Sequence, residues 1–223
     1  MVLVIGHRGA PTAQDENTLE AFLAAERAGA DGVELDVRRT ADDALAVHHD
    51  AVLPNGLAIS NLPAAELPER VPVLDDVFAA LRPDFVIDVE IKTEPAWQAD
   101  PAVAALVVEA VRAAHRHAAT LVTSFNLDTV DAVRAAGLRT GWLTLPGYDH
   151  EWALATAAEH GHSVLLPRLE SVDAALVEAA HAKGLDVWTW TVNDPADFAR
   201  MTAAGVDAVI TDDPAAFSAH PRR

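Results

Sequence analysis

The chain has 223 residues, 34 of them acidic and 16 basic, a formal net charge of −18 and no cysteine. This length suits a domain with a sizeable buried core, and the lack of cysteine excludes a disulfide framework and thiolate chemistry. The negative charge argues against binding to nucleic acid or to anionic lipid, because both partners require a basic surface.

No linker or low-complexity segment interrupts the sequence, so residues 1–223 are predicted to form a single domain. Residues 1–6 lack the basic residues and the long apolar run of a signal peptide, and no segment reaches the length of a membrane span. The sequence therefore favours a cytoplasmic protein without stable membrane association.

A repeat of helix, glycine and strand runs along the chain. Alanine-rich segments end in Gly29, Gly137, Gly161, Gly184 and Gly205, and a run rich in β-branched and aliphatic residues follows each of them. Glycine after a helix accepts the left-handed cap conformation. With three further apolar runs, the pattern predicts eight strands, at residues 2–5, 33–37, 85–91, 121–124, 139–144, 163–166, 186–190 and 207–211. Helices are predicted at residues 18–28, 74–81, 101–117, 127–136, 151–160, 172–182 and 195–204.

Strict alternation of apolar strands and helices predicts a parallel sheet covered by helices. Eight units favour a closed (β/α)8 TIM barrel, and a doubly wound open sheet is the alternative. A short insertion follows the second strand, with an extra strand predicted at residues 45–48 and a turn-rich segment at 54–72. Functional side chains of a barrel lie at the carboxyl ends of its strands. The polar residues at or just after these ends are His7, Arg8, Glu34, Asp36, Glu90, Lys92, Ser124, Thr189, Asn193 and Asp212.

Glu34 and Asp36 alternate with Val33, Leu35 and Val37 on the second predicted strand. Because successive side chains point to opposite faces, the two carboxylates share one face. If that face is interior, a shared proton, a cationic side chain or a divalent cation such as Mg²⁺ or Ca²⁺ must neutralise them. For this motif alone, two solvent-facing acids are the simpler explanation.

Asp88, Glu90 and Lys92 repeat the alternation on the third predicted strand. Glu90 is a candidate to complete an oxygen cage with Glu34 and Asp36. Lys92 either contacts a substrate phosphate or only neutralises these acids.

Two further segments carry histidine. His7, Arg8 and Gly9 end the first predicted strand, where arginine offers a planar fork suited to phosphate. His48 and His49 follow the second strand, and alternation allows only one of them to face the site. A strand-end capping role is the structural alternative for His7. Two imidazoles would suffice as an acid and base pair for phosphodiester cleavage.

Two other motifs stay open on sequence grounds. Residues 15–18 read as a helix N-cap with Asn17 or Thr18 as the cap, which leaves the role of Glu16 undecided. Trp188 and Trp190 share a strand face, where they either pack in the core or wall a pocket.

Together these segments resemble the glycerophosphodiester phosphodiesterase family. The matching segments, in the family's order, are His7-Arg8-Gly9, Glu16-Asn17-Thr18, residues 29–37, His49-Asp50, Glu90-Ile91-Lys92, Ser124-Phe125, residues 190–193 and residues 205–214. The ordered set is far more specific than any single motif in it.

The resemblance implies a metal-dependent barrel enzyme that hydrolyses small-molecule glycerophosphodiesters to glycerol 3-phosphate and an alcohol. The positions that match the family's site are Glu34, Asp36 and Glu90 for a divalent metal cation (Mg²⁺ or Ca²⁺), His7 and His49 for acid–base catalysis, Arg8 and Lys92 for the phosphate, and Glu16, Asn17, Ser124 and Trp190 for the pocket. It leaves open which histidine is the acid, and whether water or the neighbouring glycerol hydroxyl attacks first.

The sequence departs from the family's pattern in two places. Asp15 replaces the usual proline, and residues 51–56 replace the Arg-Thr-Thr stretch that follows the His-Asp pair. The first is expected to be a tolerated change in the loop, whereas the second concerns the preferred head group more than the chemistry. The alternative functions are a lysophospholipase D-like reaction on lipid substrates and a barrel that binds glycerophosphodiesters without cleaving them. A homodimer is a further open possibility.

Overall fold

The computed structural model describes residues 1–94 and 98–218. Within these ranges the strands are β1 (Leu3–His7), β2 (Gly32–Arg39), β3 (Leu45–Val47), β4 (Val86–Ile91), β5 (Thr120–Ser124), β6 (Thr140–Thr144), β7 (Val164–Pro167), β8 (Asp186–Thr189) and β9 (Ala208–Thr211). The α-helices are α1 (Leu19–Arg27), α2 (Leu74–Ala80), α3 (Pro101–Ala113), α4 (Leu127–Ala135), α5 (His150–Glu159), α6 (Ala174–Ala182), α7 (Pro195–Ala204) and α8 (Pro214–Ser218). In this described part of the chain, no helix combines the length and apolarity needed to cross a membrane.

Eight strands close into a parallel barrel. β1 pairs with both β2 and β9, and the other neighbours follow chain order from β2 to β4 and onward through β8. This closure confirms the predicted (β/α)8 barrel and excludes the open sheet. β3 pairs antiparallel with β2 and confirms the extra strand within the insertion. Two short 3₁₀ turns, Ile59–Asn61 and Ala64–Glu66, lie in the segment predicted to be rich in turns.

Most helices begin and end with the same local chemistry. A side-chain oxygen before the first turn accepts a backbone N–H that the helix itself leaves unpaired. The capping residues are Thr18, Asp100, Asn126, Asp149, Asp173 and Asp194. The five glycines predicted to follow helices all have a left-handed φ, between 75° and 90°.

Two element ends differ by two or more residues in ways that the structure explains, and one short helix was not predicted. β1 continues past residue 5 to His7, because it pairs with β2 as far as the register of His7 with Glu34. α3 ends at Ala113 instead of residue 117, and His115 just beyond it has a φ of 54°, which an α-helix does not allow. The short helix α8 has no counterpart among the predicted elements.

Apolar side chains pack on both sides of the barrel wall. Val33 and Leu35 of β2 point outward and pack against the helices. Ile5, Leu121 and Trp188 belong to a separate cluster inside the barrel. The inward side chains of β2 and β4 are instead carboxylates, namely Glu34, Asp36, Asp88 and Glu90, all of them buried. The interior therefore changes from apolar to acidic at these two strands.

Candidate active site

One side of the site depends on the tight turn after β1. Arg8 has a left-handed φ of 54° and Gly9 a φ of 95°. A Cβ on Gly9 would lie 2.6 Å from the backbone carbon of Ala21, so only glycine allows the turn to pack against α1. In this conformation the backbone N–H of Arg8 donates to Glu34 Oε2 at 3.0 Å.

Three carboxylates meet near the carboxyl ends of β2 and β4. The parallel pairing sets Asp36 opposite Glu90, and Glu34 lies on the same face as Asp36. Glu34, Asp36 and Glu90 are 5%, 0% and 7% exposed. One oxygen of each lies within 4.8 Å of the others. The structure thus brings the three expected metal ligands together.

Lys92 and Arg8 offset part of this negative charge. Lys92 Nζ lies 2.6 Å from Glu90 Oε1 and 3.0 Å from Asp36 Oδ1, while Arg8 Nε lies 3.2 Å from Asp36 Oδ2. Burial opposes ionisation of Asp36, but Lys92 and Arg8 outweigh it and hold the pKa of that carboxyl below its usual range. Burial, followed by repulsion from Asp36, raises the pKa of Glu34 well above its usual range.

The acid cluster, Glu34, Asp36 and Glu90, has the chemistry of a hard-cation site. The ligand atoms are all carboxylate oxygens, which Mg²⁺ and Ca²⁺ prefer. Glu34 Oε1 is buried and has no hydrogen-bond partner among the described residues, an arrangement that is costly without a cation nearby. These residues therefore fit the divalent cation that the resemblance implies.

His7, the last residue of β1, is held by two residues from the C-terminal part of the chain. Its Nδ1 lies 2.6 Å from Asp212 Oδ1, and Asn193 Nδ2 donates to Asp212 Oδ2 at 2.6 Å. Burial opposes ionisation of Asp212, but the contacts with His7 and Asn193 outweigh it and lower the pKa of the carboxyl. The ionised carboxylate orients the imidazole, so Nε2 is the ring nitrogen presented to a substrate.

His49 follows β3 and lines the same cavity as His7. Its Nδ1 lies 2.7 Å from Asp50 Oδ1, and Arg38 Nε donates to its backbone carbonyl at 2.7 Å. Neighbouring His48 turns its Nδ1 to the backbone of Asp50, so one of the two histidines faces the cavity, as alternation predicts. Burial is the main factor that lowers the pKa of His49, which leaves its ring neutral at pH 7.

The loop before α1 supplies Glu16, Asn17 and Thr18. Asn17 Nδ2 donates to Asp36 Oδ2 at 2.8 Å, and Asn17 Oδ1 accepts the backbone N–H of Asp36 at 3.3 Å. Arg8 Nη1 donates to Glu16 Oε1 at 2.8 Å. Thr18 is the N-cap of α1. Asn17 thus contacts the site through Asp36, an expected metal ligand, and Glu16 contacts it through Arg8.

A cavity of ≈ 190 Å³ lies between His7, His49 and the two glutamates Glu34 and Glu90. The side that carries the ionisable groups comes from the first half of the chain, with His7, Arg8, Glu34, His49, Asp88, Glu90 and Lys92. Its opposite side comes from the second half, with Thr123, Phe125, Leu143, Trp190 and Ile210. The rings of Phe125 and Trp190 meet edge to face with centroids 5.6 Å apart. The cavity therefore has a charged side and a largely apolar side.

Two expected pocket residues have different roles. Trp190 lines the cavity, and its indole N–H donates to the carbonyl of Leu166 at 2.9 Å. Ser124 is buried next to the cavity without lining it, because its hydroxyl donates to the carbonyl of Ile91 at 2.9 Å. Trp188 is 1% exposed and packs in the barrel core.

Sequence reasoning assigned no role to Asp212, Asn193 or Asp88. The first two follow strand ends closely, and that position was the available signal. Asp88 accepts a hydrogen bond from Thr123 Oγ1 at 2.8 Å, yet burial raises its pKa to about 8. It is therefore a neutral acid at pH 7, a property that follows from burial and not from any sequence pattern.

Comparison with known proteins points to one family. The profile of the glycerophosphoryl diester phosphodiesterase family matches residues 7–216. A glycerophosphodiester phosphodiesterase of Caldanaerobacter subterraneus subsp. tengcongensis is 33% identical, over 95% of this chain and 94% of its own length. A lysophospholipase D of Mus musculus is 25% identical, over 94% of this chain and 83% of its own. The crystal structure of a glycerophosphodiester phosphodiesterase from Thermotoga maritima has a TM-score of 0.86 and 29% identity, with 97% of both chains covered.

The matched segment begins at His7 and ends beyond Asp212, so it contains every residue described around the cavity. The likeness also extends over nearly the full length of both the bacterial relative and the solved structure. This chain belongs to the glycerophosphoryl diester phosphodiesterase family and is a phosphoric diester hydrolase.

Proposed function

We propose that this enzyme hydrolyses glycerophosphodiesters to glycerol 3-phosphate and an alcohol, with a bound divalent metal and with His7 and His49 as acid and base. The main support is that Glu34, Glu90, two cationic side chains and two imidazoles line one cavity, and that buried Asp36 is grouped with the two glutamates. Acids alone would repel a phosphodiester, so this combination is expected where a cation and a phosphate meet. The names of the bacterial and Thermotoga relatives support the same reaction.

Glu34, Asp36 and Glu90 are the proposed ligands of Mg²⁺ or Ca²⁺. When bound, the cation supplies positive charge that polarises the phosphate and offsets the charge developing in the transition state. The protein orients two of the ligands beforehand, since the N–H of Arg8 holds Glu34 and the amide of Asn17 holds Asp36.

Arg8 and Lys92 are the proposed phosphate-binding residues. A guanidinium carries five N–H donors and an ammonium three, and the contacts with the acids use only some of them. Both side chains line the cavity, so their remaining donors can reach phosphate oxygens there. Burial next to the acids keeps these cations ordered before a substrate enters.

We assign His49 as the base and His7 as the acid of the first step. His49 is neutral at pH 7 and takes the proton of the attacking hydroxyl, which belongs to water or to the neighbouring glycerol carbon. The new P–O bond forms, the bond to the alcohol breaks, and His7 delivers a proton to the leaving oxygen. Attack by glycerol gives a cyclic phosphate, which water opens with the two histidine roles exchanged.

A second candidate, lysophospholipase D-like hydrolysis, rests on exposed apolar side chains in the connection after β6 and in the first turn of α5. Leu145 and Trp152 are each 50% exposed, and Tyr148 stacks on Trp152 with ring centroids 5.8 Å apart. This connection leaves the carboxyl end of β6, the same end of the barrel as the cavity. It would give an acyl chain an apolar surface, which glycerophosphocholine does not need, and the mouse relative carries the corresponding name.

The test measures product release from glycerophosphocholine, glycerophosphoethanolamine and lysophosphatidylcholine, first with EDTA and then with Mg²⁺ or Ca²⁺ restored. The proposal expects metal-restored release of glycerol 3-phosphate from the first two substrates. Turnover of lysophosphatidylcholine alone would favour the second candidate. Binding of all three without turnover, in metal-loaded protein, would instead indicate a non-catalytic barrel.

A matched pair of variants tests the ligand assignment. Glu90→Gln should abolish the restoration by metal at the concentrations that suffice for the parent enzyme. Glu94→Gln is the control, because Glu94 lies close by in sequence but is exposed and paired with Arg38 at 3.2 Å. Equal restoration of activity by metal in Glu90→Gln and Glu94→Gln would contradict the assignment of Glu90 as a metal ligand.

A further inference from the structure

A second group of metal-ligating side chains lies at the opposite end of the barrel from the cavity. Asp131 is on α4, His160 is the C-cap of α5, and His162 precedes β7. One ligand atom of each lies within 4.8 Å of the others. The cavity residues cluster at the carboxyl ends of their strands, whereas His162 comes before its strand, so this group is remote from the phosphodiester chemistry.

The Asp131 carboxylate bridges the two imidazoles. Asp131 Oδ2 lies 2.7 Å from His160 Nδ1, and Asp131 Oδ1 lies 3.2 Å from His162 Nε2. The two rings are near parallel, with 24° between their planes and 6.1 Å between their centroids. Two imidazole nitrogens and a carboxylate are a common protein ligand set for Zn²⁺, with the remaining positions left to water.

The surroundings of His162 provide a second, independent observation. Its side chain is 0% exposed, and Nε2 makes no well-directed hydrogen bond even though Asp131 Oδ1 is 3.2 Å away. Its other nitrogen, Nδ1, lies 2.9 Å from Thr140 Oγ1. A metal-bound histidine typically has its second nitrogen engaged in this way. Burial also lowers the pKa of His162, which favours the neutral ring that binds metals.

We propose that Asp131, His160 and His162 form a binding site for a borderline divalent cation of the Zn²⁺ type. Imidazole suits Zn²⁺, Cu²⁺ and Ni²⁺, whereas an all-oxygen set suits Mg²⁺ and Ca²⁺, so the two ends of the barrel select different metals. Arg134, on the same helix as Asp131, lies against Gly161 and its charge opposes a bound cation. We therefore expect weaker binding than at a closed four-ligand zinc centre.

A metal at this site would join α4 to the connection between α5 and β7. The unfolded chain does not hold these ligands together, so binding would favour the folded state. The site is thus proposed to stabilise the barrel, and Zn²⁺ should raise Tm without any change in phosphodiester turnover.

The test titrates Zn²⁺ calorimetrically into intact protein saturated with Mg²⁺ and records the visible spectrum of bound Co²⁺. His160→Ala removes a half-exposed ligand, so the variant should fold, lose one zinc site and lose the rise of Tm with Zn²⁺. Thr140→Val keeps all three ligands but removes the partner of His162, and should weaken zinc binding by about 10–100-fold. Turnover of glycerophosphodiesters with Mg²⁺ should be unchanged in His160→Ala.

His181→Ala is the matched control. His181 also contacts an aspartate, Asp207, at 2.9 Å, but it belongs to no three-ligand group among the described residues. The His181→Ala variant should bind as many zinc ions per chain as the parent protein does. Equal stoichiometry in the parent and in His160→Ala would overturn the proposal, whatever the outcome of the substrate assays.

Discussion

Arg8 contacts three acidic residues of the site from a single position. Its backbone N–H holds Glu34, its Nη1 holds Glu16, and its Nε lies 3.2 Å from Asp36. These contacts require the left-handed φ of 54°, which costs a non-glycine residue about 1–2 kcal/mol. Such a residue is stable where its contacts contribute more than the strain costs. Here the contacts of Arg8 order Glu34 and Asp36, two of the proposed metal ligands.

The paired imidazoles lead to a first prediction at this scale. Alanine at either His7 or His49 should lower kcat/KM by about 10²–10⁴-fold, because each ring is proposed to carry one proton-transfer step. Steady-state kinetics and circular dichroism would check activity and folding together. His48→Ala is the control, since the His48 ring hydrogen-bonds to the backbone of Asp50. Near-parental turnover in His49→Ala would refute the catalytic role.

The pH dependence of kcat/KM follows from His49, the proposed base. A general base must be unprotonated, so activity is lost as the pH falls through the pKa of His49. Burial lowers that pKa, and the acidic limb should therefore lie below the ordinary imidazole value of about 6.5. A pH–rate profile would show this limb in the parent enzyme. An acidic limb above the ordinary value would show that another group controls it.

At the scale of elements, the site depends on how loops pack on the barrel. The turn after β1 brings Arg8 to the acid cluster. This turn is possible only because Gly9, which has no Cβ, packs directly against the backbone of α1. The β2–β4 register then sets Asp36 against Glu90. A shift of β4 by one residue would turn Glu90 away from the cavity, because side chains alternate between faces.

Two glycine substitutions distinguish the effect of a steric collision on stability from the effect of backbone strain. Gly9 and Gly137 have φ of 95° and 90°, so alanine costs both a similar backbone strain, about 1–2 kcal/mol. Only at Gly9 would the new Cβ collide with the backbone of Ala21, since the space at Gly137 is open. Gly9→Ala should therefore lower the free energy of unfolding more than Gly137→Ala, and it alone should lower turnover. Denaturant melts and activity assays would show whether the two variants differ.

At the scale of the whole molecule, the chain folds around acids while already carrying a net charge of −18. Buried like charges oppose the folded state, and a cation bound to them favours it. We expect Mg²⁺ or Ca²⁺ to raise Tm relative to EDTA, by an amount that corresponds to about 2.7 kcal/mol at a hundredfold excess over Kd. Differential scanning calorimetry would measure the change.

Two controls separate specific binding from screening of the surface charge. NaCl at matched ionic strength should not reproduce the stabilisation, and Glu90→Gln should reduce it. An unchanged Tm after chelation and after addition of metal would contradict a cation site in the barrel interior.

The predictable part of the site is the part that local periodicity encodes. Alternation placed Glu34 and Asp36 on one face of their strand and made Glu90 a candidate to join them, and the structure has the three together. The contact of His7 with Asp212 joins distant parts of the chain and exists only once the barrel closes. The protonation of a buried acid depends on its surroundings, so it too was beyond sequence reasoning. The fold was accessible because its repeat, its caps and its glycines agree in most of the units.

The division of the cavity lining between the halves of the chain has an evolutionary consequence. Within the cavity lining, the proposed proton-transfer and phosphate-binding residues all precede residue 93, while the apolar residues Phe125, Leu143, Trp190 and Ile210 follow it. Selection for a new leaving alcohol can therefore act on one half of the gene while the other half is held constant. Mutant libraries confined to these four codons should change the range of alcohols released and spare the chemical step.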